Sequence, residues 1–178
     1  MFLFLLLLVS TTHALPPPSE RNALLDFYRE CNHTGWPQRD NWGDAAVSVC
    51  EWSGVDCDEK DSHVAAIKID TKGPMCALPT SMAQLTAMVA FHFTNGLQGP
   101  FPAAFQEMPL IEKINIAPSR IEGTLPAWVA DLKMLRSLRV SYQPDGGDTG
   151  PHGLRSLLPD LGRSGAIDGG SESGHEFF

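Results

Sequence analysis

From Asp61 to Gln143 the apolar residues recur at a spacing of 24, 23 and 24 residues, with copies opening at Asp61, Leu85, Met108 and Leu132. In "MPLIEKINIAPSRIEGTLPAWVAD", positions 1, 4, 7, 9, 14, 18 and 22 are Met108, Ile111, Ile114, Ile116, Ile121, Leu125 and Val129, with Gly123 and Pro126 at 16 and 19. Upstream, Val64, Ile67, Ile69, Leu78, Pro79 and Met82 keep the same frame. Leu85, Met88, Phe91 and Phe93 open a copy one residue short, so that Leu97, Gly99, Phe101 and Pro102 shift by one. Leu132, Leu135, Leu138 and Val140 begin another. Self-similarity at this period predicts a solenoid. Within each copy "IKI", "FHF", "INI" and "LRV" alternate apolar and polar residues, the period-two signature of a strand with one buried face. Stacked copies then make a parallel sheet. No single copy buries its apolar face alone, so the array needs capped ends.

The ends carry different patterns. In "SERNALLDFYREC", Leu24, Phe27, Tyr28 and Cys31 fall on one helical face, with Ser19 placed as N-cap. That helix is expected to cover the first repeat, after an extended "PPP". Beyond Val140 the periodicity stops. The 35 residues from Pro144 to Phe178 hold nine glycines and three prolines, a composition too poor in apolar side chains for a core. Within them Leu154, Leu157, Leu158 and Leu161 keep helical spacing and are candidates to lie over the last copy.

The opening "MFLFLLLLVSTTHA" is an apolar run followed by small residues at the minus-three and minus-one places of a cleavage site. It reads as a secretory signal peptide, despite having no Lys or Arg before the run, and it is too short for a transmembrane span. Secretion implies oxidising conditions, in which four cysteines favour disulfides. Four allow three connectivities. The short spacing favours Cys50 with Cys57, a loop contributing roughly 2.5 kcal/mol in the chain-entropy model, and leaves Cys31 with Cys76; a Cys31–Cys50 link is the competing outcome. "NHT" at Asn32–Thr34 is a glycosylation sequon, expected to be occupied. Trp36, Trp42 and Trp52 are either a sugar-stacking platform or packing beneath the cap, and the second is the commoner use.

The repeats resemble the plant-type extracellular leucine-rich repeat, L-x-x-L-x-x-L-x-L-x-x-N-x-L-x-G-x-I-P, and "NWGDAAVSVCEWSGVDC" resembles the C-x-W-x-G-V-x-C end of that family's N-terminal cap. Relatives of this pattern include receptor-like kinase ectodomains, polygalacturonase inhibitors and trypanosomatid leucine-rich-repeat surface antigens. The resemblance covers residues 20 to 143 and implies an α/β solenoid: a short leucine-rich-repeat array with a helical, disulfide-clasped N-terminal cap and a parallel concave sheet that binds partners. Four units follow: a signal peptide over 1–14, a cap over 15–60, about four repeats over 61–143, and a Gly-rich, mostly disordered tail over 144–178. The family's Asn at position 12 is Lys72, Ser119 and Gln143 here, with Asn95 one place early in the short copy. An imperfect asparagine ladder follows, leaving backbone donors to water or to Ser and Lys side chains.

Composition narrows function. A formal charge of −8 with scattered cations argues against nucleic acid and anionic membranes. No HExxH, GxSxG or phosphate-cradling glycine loop is present, so no catalytic residue, cofactor or metal is assigned. A non-enzymatic secreted or cell-surface recognition module results, binding a protein, peptide or glycan. The rivals are a secreted hydrolase and a truncated ectodomain of a longer receptor or surface antigen. In the repeat frame positions 6, 8 and 10 point away from the core. Position 8 is Lys68, His92, Asn115 and Arg139, a column with no acid, and Lys113 lies beside it at position 6. These five residues are the candidate contacts for an acidic or carboxylate-bearing partner, with binding expected to strengthen as His92 gains a proton. Four strands present a face only about 15 to 20 Å across. So small a face implies weak binding by itself, or pairing with a second solenoid as a dimer or co-receptor.

Overall fold

The computed structural model describes residues 15–31, 33–140 and 167–168. The chain enters as helix α1, Pro18–Glu30, then passes through a short 3₁₀ turn at Val49–Glu51 into strand β1, Val55–Cys57. The repeats contribute β2 (Val64–Asp70), β3 (Ala90–Thr94), β4 (Gln98–Pro100), β5 (Lys113–Asn115), β6 (Arg120–Glu122) and β7 (Ser137–Arg139). A two-residue strand β8, Ile167–Asp168, follows. The main sheet runs β1-β2-β3-β5-β7-β8, antiparallel at β1–β2 and parallel from β2 onward.

Alternation sets the core. Ile67, Ile69, Phe91, Phe93, Ile114 and Leu138 are buried on the inner faces of their strands, and Ile116 and Val140, each one residue past a strand end, are buried as well. After each of the three middle strands a 3₁₀ turn, at Thr80–Gln84, Ala103–Glu107 and Ala127–Asp131, returns the chain behind the sheet. A proline stands at the N-cap of all three turns, where its fixed φ is compatible and no donor is needed. A second, two-stranded sheet pairs β4 with β6, an element the period-two reading did not foresee. It is compatible with the return turns because Gly99 and Gly123 both take positive φ, 83° and 75°.

The cap differs in detail from the sequence expectation. Ser19 is not the N-cap: α1 begins at Pro18, with Pro17 at the cap and no side-chain capping bond. Proline suits the first helical position, since its missing N–H would be unpaired there in any case, and the Glu20 N–H bonds to Pro17 O at 3.0 Å. Trp36, Trp42 and Trp52 are 3%, 7% and 1% exposed, so no stacking platform exists. They pack with Phe27 and with each other beneath the cap, and Phe27 reaches Phe93 at 4.9 Å. Cys31 is bonded to Cys76 and Cys50 to Cys57.

The most consequential cap residue is one the hydrophobic pattern does not single out. Glu20, on the buried side of α1, accepts the Val64 N–H through Oε2 at 2.8 Å and meets His63 Nδ1 through Oε1 at 2.7 Å. The carboxylate thereby ties the helix to the first residue of β2. A buried backbone donor left without it costs roughly 1–3 kcal/mol.

The ladder at the strand ends is built from hydroxyl residues. Thr71, Thr94 and Ser119 are buried there while Lys72 is exposed, so the inward place expected for Lys72 belongs to Thr71. Thr71 Oγ1 donates to Gly35 O and accepts from Gly73 N. Backbone donors are also paired from copy to copy, Thr71 N to Thr94 O at 3.1 Å, Asn95 N to Pro118 O at 2.8 Å and Ile116 N to Arg139 O at 2.9 Å. Asn95 is exposed with φ 59°, a turn residue rather than a ladder rung. Gln143, the leucines of 154–161, the leader over 1–14 and Asn32 lie outside the described residues.

Candidate functional site

The outward face of the main sheet is organised by register. Parallel pairing sets Lys68 beside His92, His92 beside Asn115 and Asn115 beside Arg139, so position 8 forms one row across β2, β3, β5 and β7. The same register sets Ala66, Ala90, Lys113 and Ser137 in the row on one side, and Asp70 beside Thr94 on the other. All five candidate contacts therefore share one face.

They are not equivalent. His92 Nε2–H donates to Asp70 Oδ1 at 2.9 Å, and its Nδ1 accepts from the Asn115 amide nitrogen at 3.0 Å. Thr94 Oγ1–H donates to the same Asp70 oxygen, while Asn115 Oδ1 accepts the Ala117 N–H at 3.3 Å. The result is a closed chain, Thr94–Asp70–His92–Asn115–Ala117, fixed at both ends. The Thr94 hydroxyl first, and the His92 contact second, hold the Asp70 carboxyl below the ordinary aspartate value. A carboxylate so lowered contributes stability above its unfolded pKa and loses it as pH falls toward the folded one.

This network changes how the row reads. Asp70 lies one row over, and it is the acid that engages the row's histidine. Both ring nitrogens of His92 are occupied, one by Asp70 and the other by the Asn115 amide. The side chains of Lys68, Lys113 and Arg139 are exposed and make no hydrogen bond or close salt bridge among the described residues, though the Lys68 charge also helps to hold the Asp70 carboxyl low. They are the cations this face displays. Periodicity puts Asp70, two residues beyond Lys68, on the same side of the strand, but does not report its bond to His92.

Among the described residues no cluster of three or more His, Cys, Asp or Glu side chains could hold a metal ion, and no helix is long and apolar enough to cross a membrane.

The comparisons agree with this architecture. Residues 17–58 match the leucine rich repeat N-terminal domain family. A solved ectodomain of the plant membrane receptor kinase GASSHO1/SCHENGEN3 from Arabidopsis thaliana superposes with a TM-score of 0.58 over 68% of this chain and 16% of its own, at 20% identity. The fold is a short leucine-rich-repeat solenoid of the plant type. In sequence this solenoid is 26% identical over 129 residues to a probable inactive receptor kinase of Arabidopsis thaliana, covering 70% of this chain and 20% of the relative. It is 25% identical over 136 residues to the receptor-like protein EIX1 of Solanum lycopersicum, covering 67% and 13%. The solenoid thus spans a fifth or less of the length of these two curated relatives. The superposed ectodomain was solved in complex with CASPARIAN STRIP INTEGRITY FACTOR 2.

Proposed function

We propose that the chain is an extracellular, non-enzymatic recognition module whose concave face binds an acidic extended partner through Lys68, Lys113 and Arg139, with His92 and Asn115 as the fixed floor between them. The leader over 1–14 directs secretion, residues 15–60 cap the array, and residues 61–143 present the binding face. One observation carries this reading: a chain of net charge −8 displays three exposed cations on one sheet face, where Asp70 is engaged by Thr94 and His92 and Asp56 stands on the edge strand. The ectodomain solved with a bound factor is a precedent for the fold class. Hydrogen bonds at both ring nitrogens, to Asp70 and from the Asn115 amide, make His92 a positioning group.

The test is a double charge reversal, Lys68→Glu with Arg139→Glu, screened against an array of extended peptides. Both side chains are exposed, so the variant is expected to melt within a few degrees of the parent. Parent protein should retain acidic peptides in preference to neutral ones, and the variant should lose that preference. Equal retention by both proteins, with equal salt dependence, moves the site off this face. A separate expectation concerns the cap. Protein secreted from eukaryotic cells should lose mass on treatment with an N-glycosidase, and an unchanged mass means that the Asn32 sequon is empty.

A further inference from the structure

Resting on that reading, we propose that the partner is a peptide segment with two carboxylates four residues apart, laid across the strands with one carboxylate at Lys68 and the other at Arg139.

The spacing follows from the sheet. Lys68 and Arg139 lie in one row on β2 and β7, three strand intervals apart through His92 and Asn115. At ~4.8 Å per interval the two backbones stand roughly 14 Å apart. An extended peptide advances about 3.4 Å per residue, so four residues cover that span. Side chains of an extended chain alternate, which puts residues i, i+2 and i+4 on the same side. Spacings of three or five turn the second carboxylate away from the sheet, and a spacing of two falls short by about half the distance.

The floor between the two cations fits the same geometry. Residue i+2 stands over His92 and Asn115, whose polar atoms are engaged with Asp70, with each other and with Ala117 N. The rows on either side hold the small side chains Ala66, Ala90 and Ser137 together with Lys113, and Thr94 together with Asp70. Lys113 stands one position off the row and adds to the positive potential near its middle. Two acidic side chains are described on this face: Asp56, exposed on the edge strand β1 and in register with Ala66, and Asp70, which is held by Thr94 and His92 and lies beside Lys68. Charge complementarity therefore selects acids at the two ends of the row.

The test uses the full secreted chain and fluorescein-labelled peptides of one composition, with two Asp residues separated by two, three, four or six positions in a Ser/Thr/Val background. Binding is read by anisotropy at low ionic strength, because exposed pairs are screened over about 10 Å at 0.1 M salt. The i, i+4 peptide is expected to bind about three- to tenfold more tightly than the i, i+2 and i, i+3 peptides. Lys68→Glu or Arg139→Glu alone should erase the preference. The double reversal should instead favour a Lys-x-x-x-Lys peptide. Strand β8 sets Asp168 level with Arg139, so the series is repeated on Asp168→Asn, where the same ranking is expected.

Equal affinity for every spacing, with all acidic peptides weakened by the reversals, overturns the four-residue assignment and leaves the concave-face reading standing. Affinity that no reversal changes overturns both. A uronic-acid oligosaccharide that binds more tightly than every peptide, and is lost on the same reversals, overturns the choice of a peptide.

Discussion

An Ile114→Asp chain is expected to lose its cooperative thermal transition. Ile114 has no exposed surface and lies in register between Phe91 and Leu138, so its side chain contacts both neighbouring copies. Removing it forfeits about 1.5–3 kcal/mol of apolar burial. The new carboxylate meets no partner in that layer, and burying it unpaired costs several kcal/mol more unless it takes up a proton. Together these approach the ~5–15 kcal/mol by which a domain of this kind exceeds its unfolded state. Because each copy is held only by its neighbours, a break at β5 separates β7 from the capped half. Calorimetry and near-ultraviolet dichroism read the result, with Lys113→Asp as the control: one residue away in the same strand but exposed, it should shift Tm by only a few degrees. A soluble Ile114→Asp protein melting like the parent would refute the frame that puts position 7 inside.

That frame was legible because two periods reinforce each other. Position 7 and position 9 of every copy are apolar and the residue between them is polar, and a stacked sheet turns that alternation into one buried and one exposed row. The register of Lys68, His92, Asn115 and Arg139 follows from it without further information, since a parallel stack of similar copies sets equivalent positions side by side. The tryptophans of the cap were legible on the same terms, as large apolar side chains next to an apolar helix face.

Glu20 and Asp70 were not legible, for a common physical reason. Each is a charged residue whose role is set by a partner in another element, Val64 N and His63 for Glu20 and His92 and Thr94 for Asp70. Periodicity reports which face a residue is on, and says nothing of which polar atoms converge there. A buried acid on an otherwise apolar helix face is the one signal that would have found Glu20. It lies three and four residues before Ala23 and Leu24, on the side of α1 that the pattern assigns to the core. The second sheet was hidden differently: "QGP" and "RIE" are too short and too unlike one another to read as strands, and they pair with Gly99 opposite Ile121.

Removing the Cys31–Cys76 bridge, as Cys31→Ala with Cys76→Ala, is expected to lower stability by about 4 kcal/mol, against about 2.5 kcal/mol for Cys50→Ala with Cys57→Ala. The difference comes from loop length: the first bridge joins residues 45 apart in sequence and the second residues 7 apart. The longer loop contains the three cap tryptophans, β1 and β2, so its closure restricts most of the cap in the unfolded chain. Native contacts act in the same direction. Cys76 donates its N–H to Gly96 O at 2.7 Å and accepts from Gln98 N at 2.9 Å, which makes it a rung beside the second sheet. Nearby, Gly35 approaches Gly73 so closely that a Cβ on Gly35 would fall 2.0 Å from the Gly73 Cα. The bridge therefore holds the end of α1 against the flank of the solenoid where two backbones touch. Calorimetry of both double variants under non-reducing conditions decides the order. If the Cys50–Cys57 variant proves the less stable, or the two melt together, loop entropy is not what holds the cap, and the Phe27–Trp36–Trp42 packing and the Glu20 bond to Val64 carry it instead.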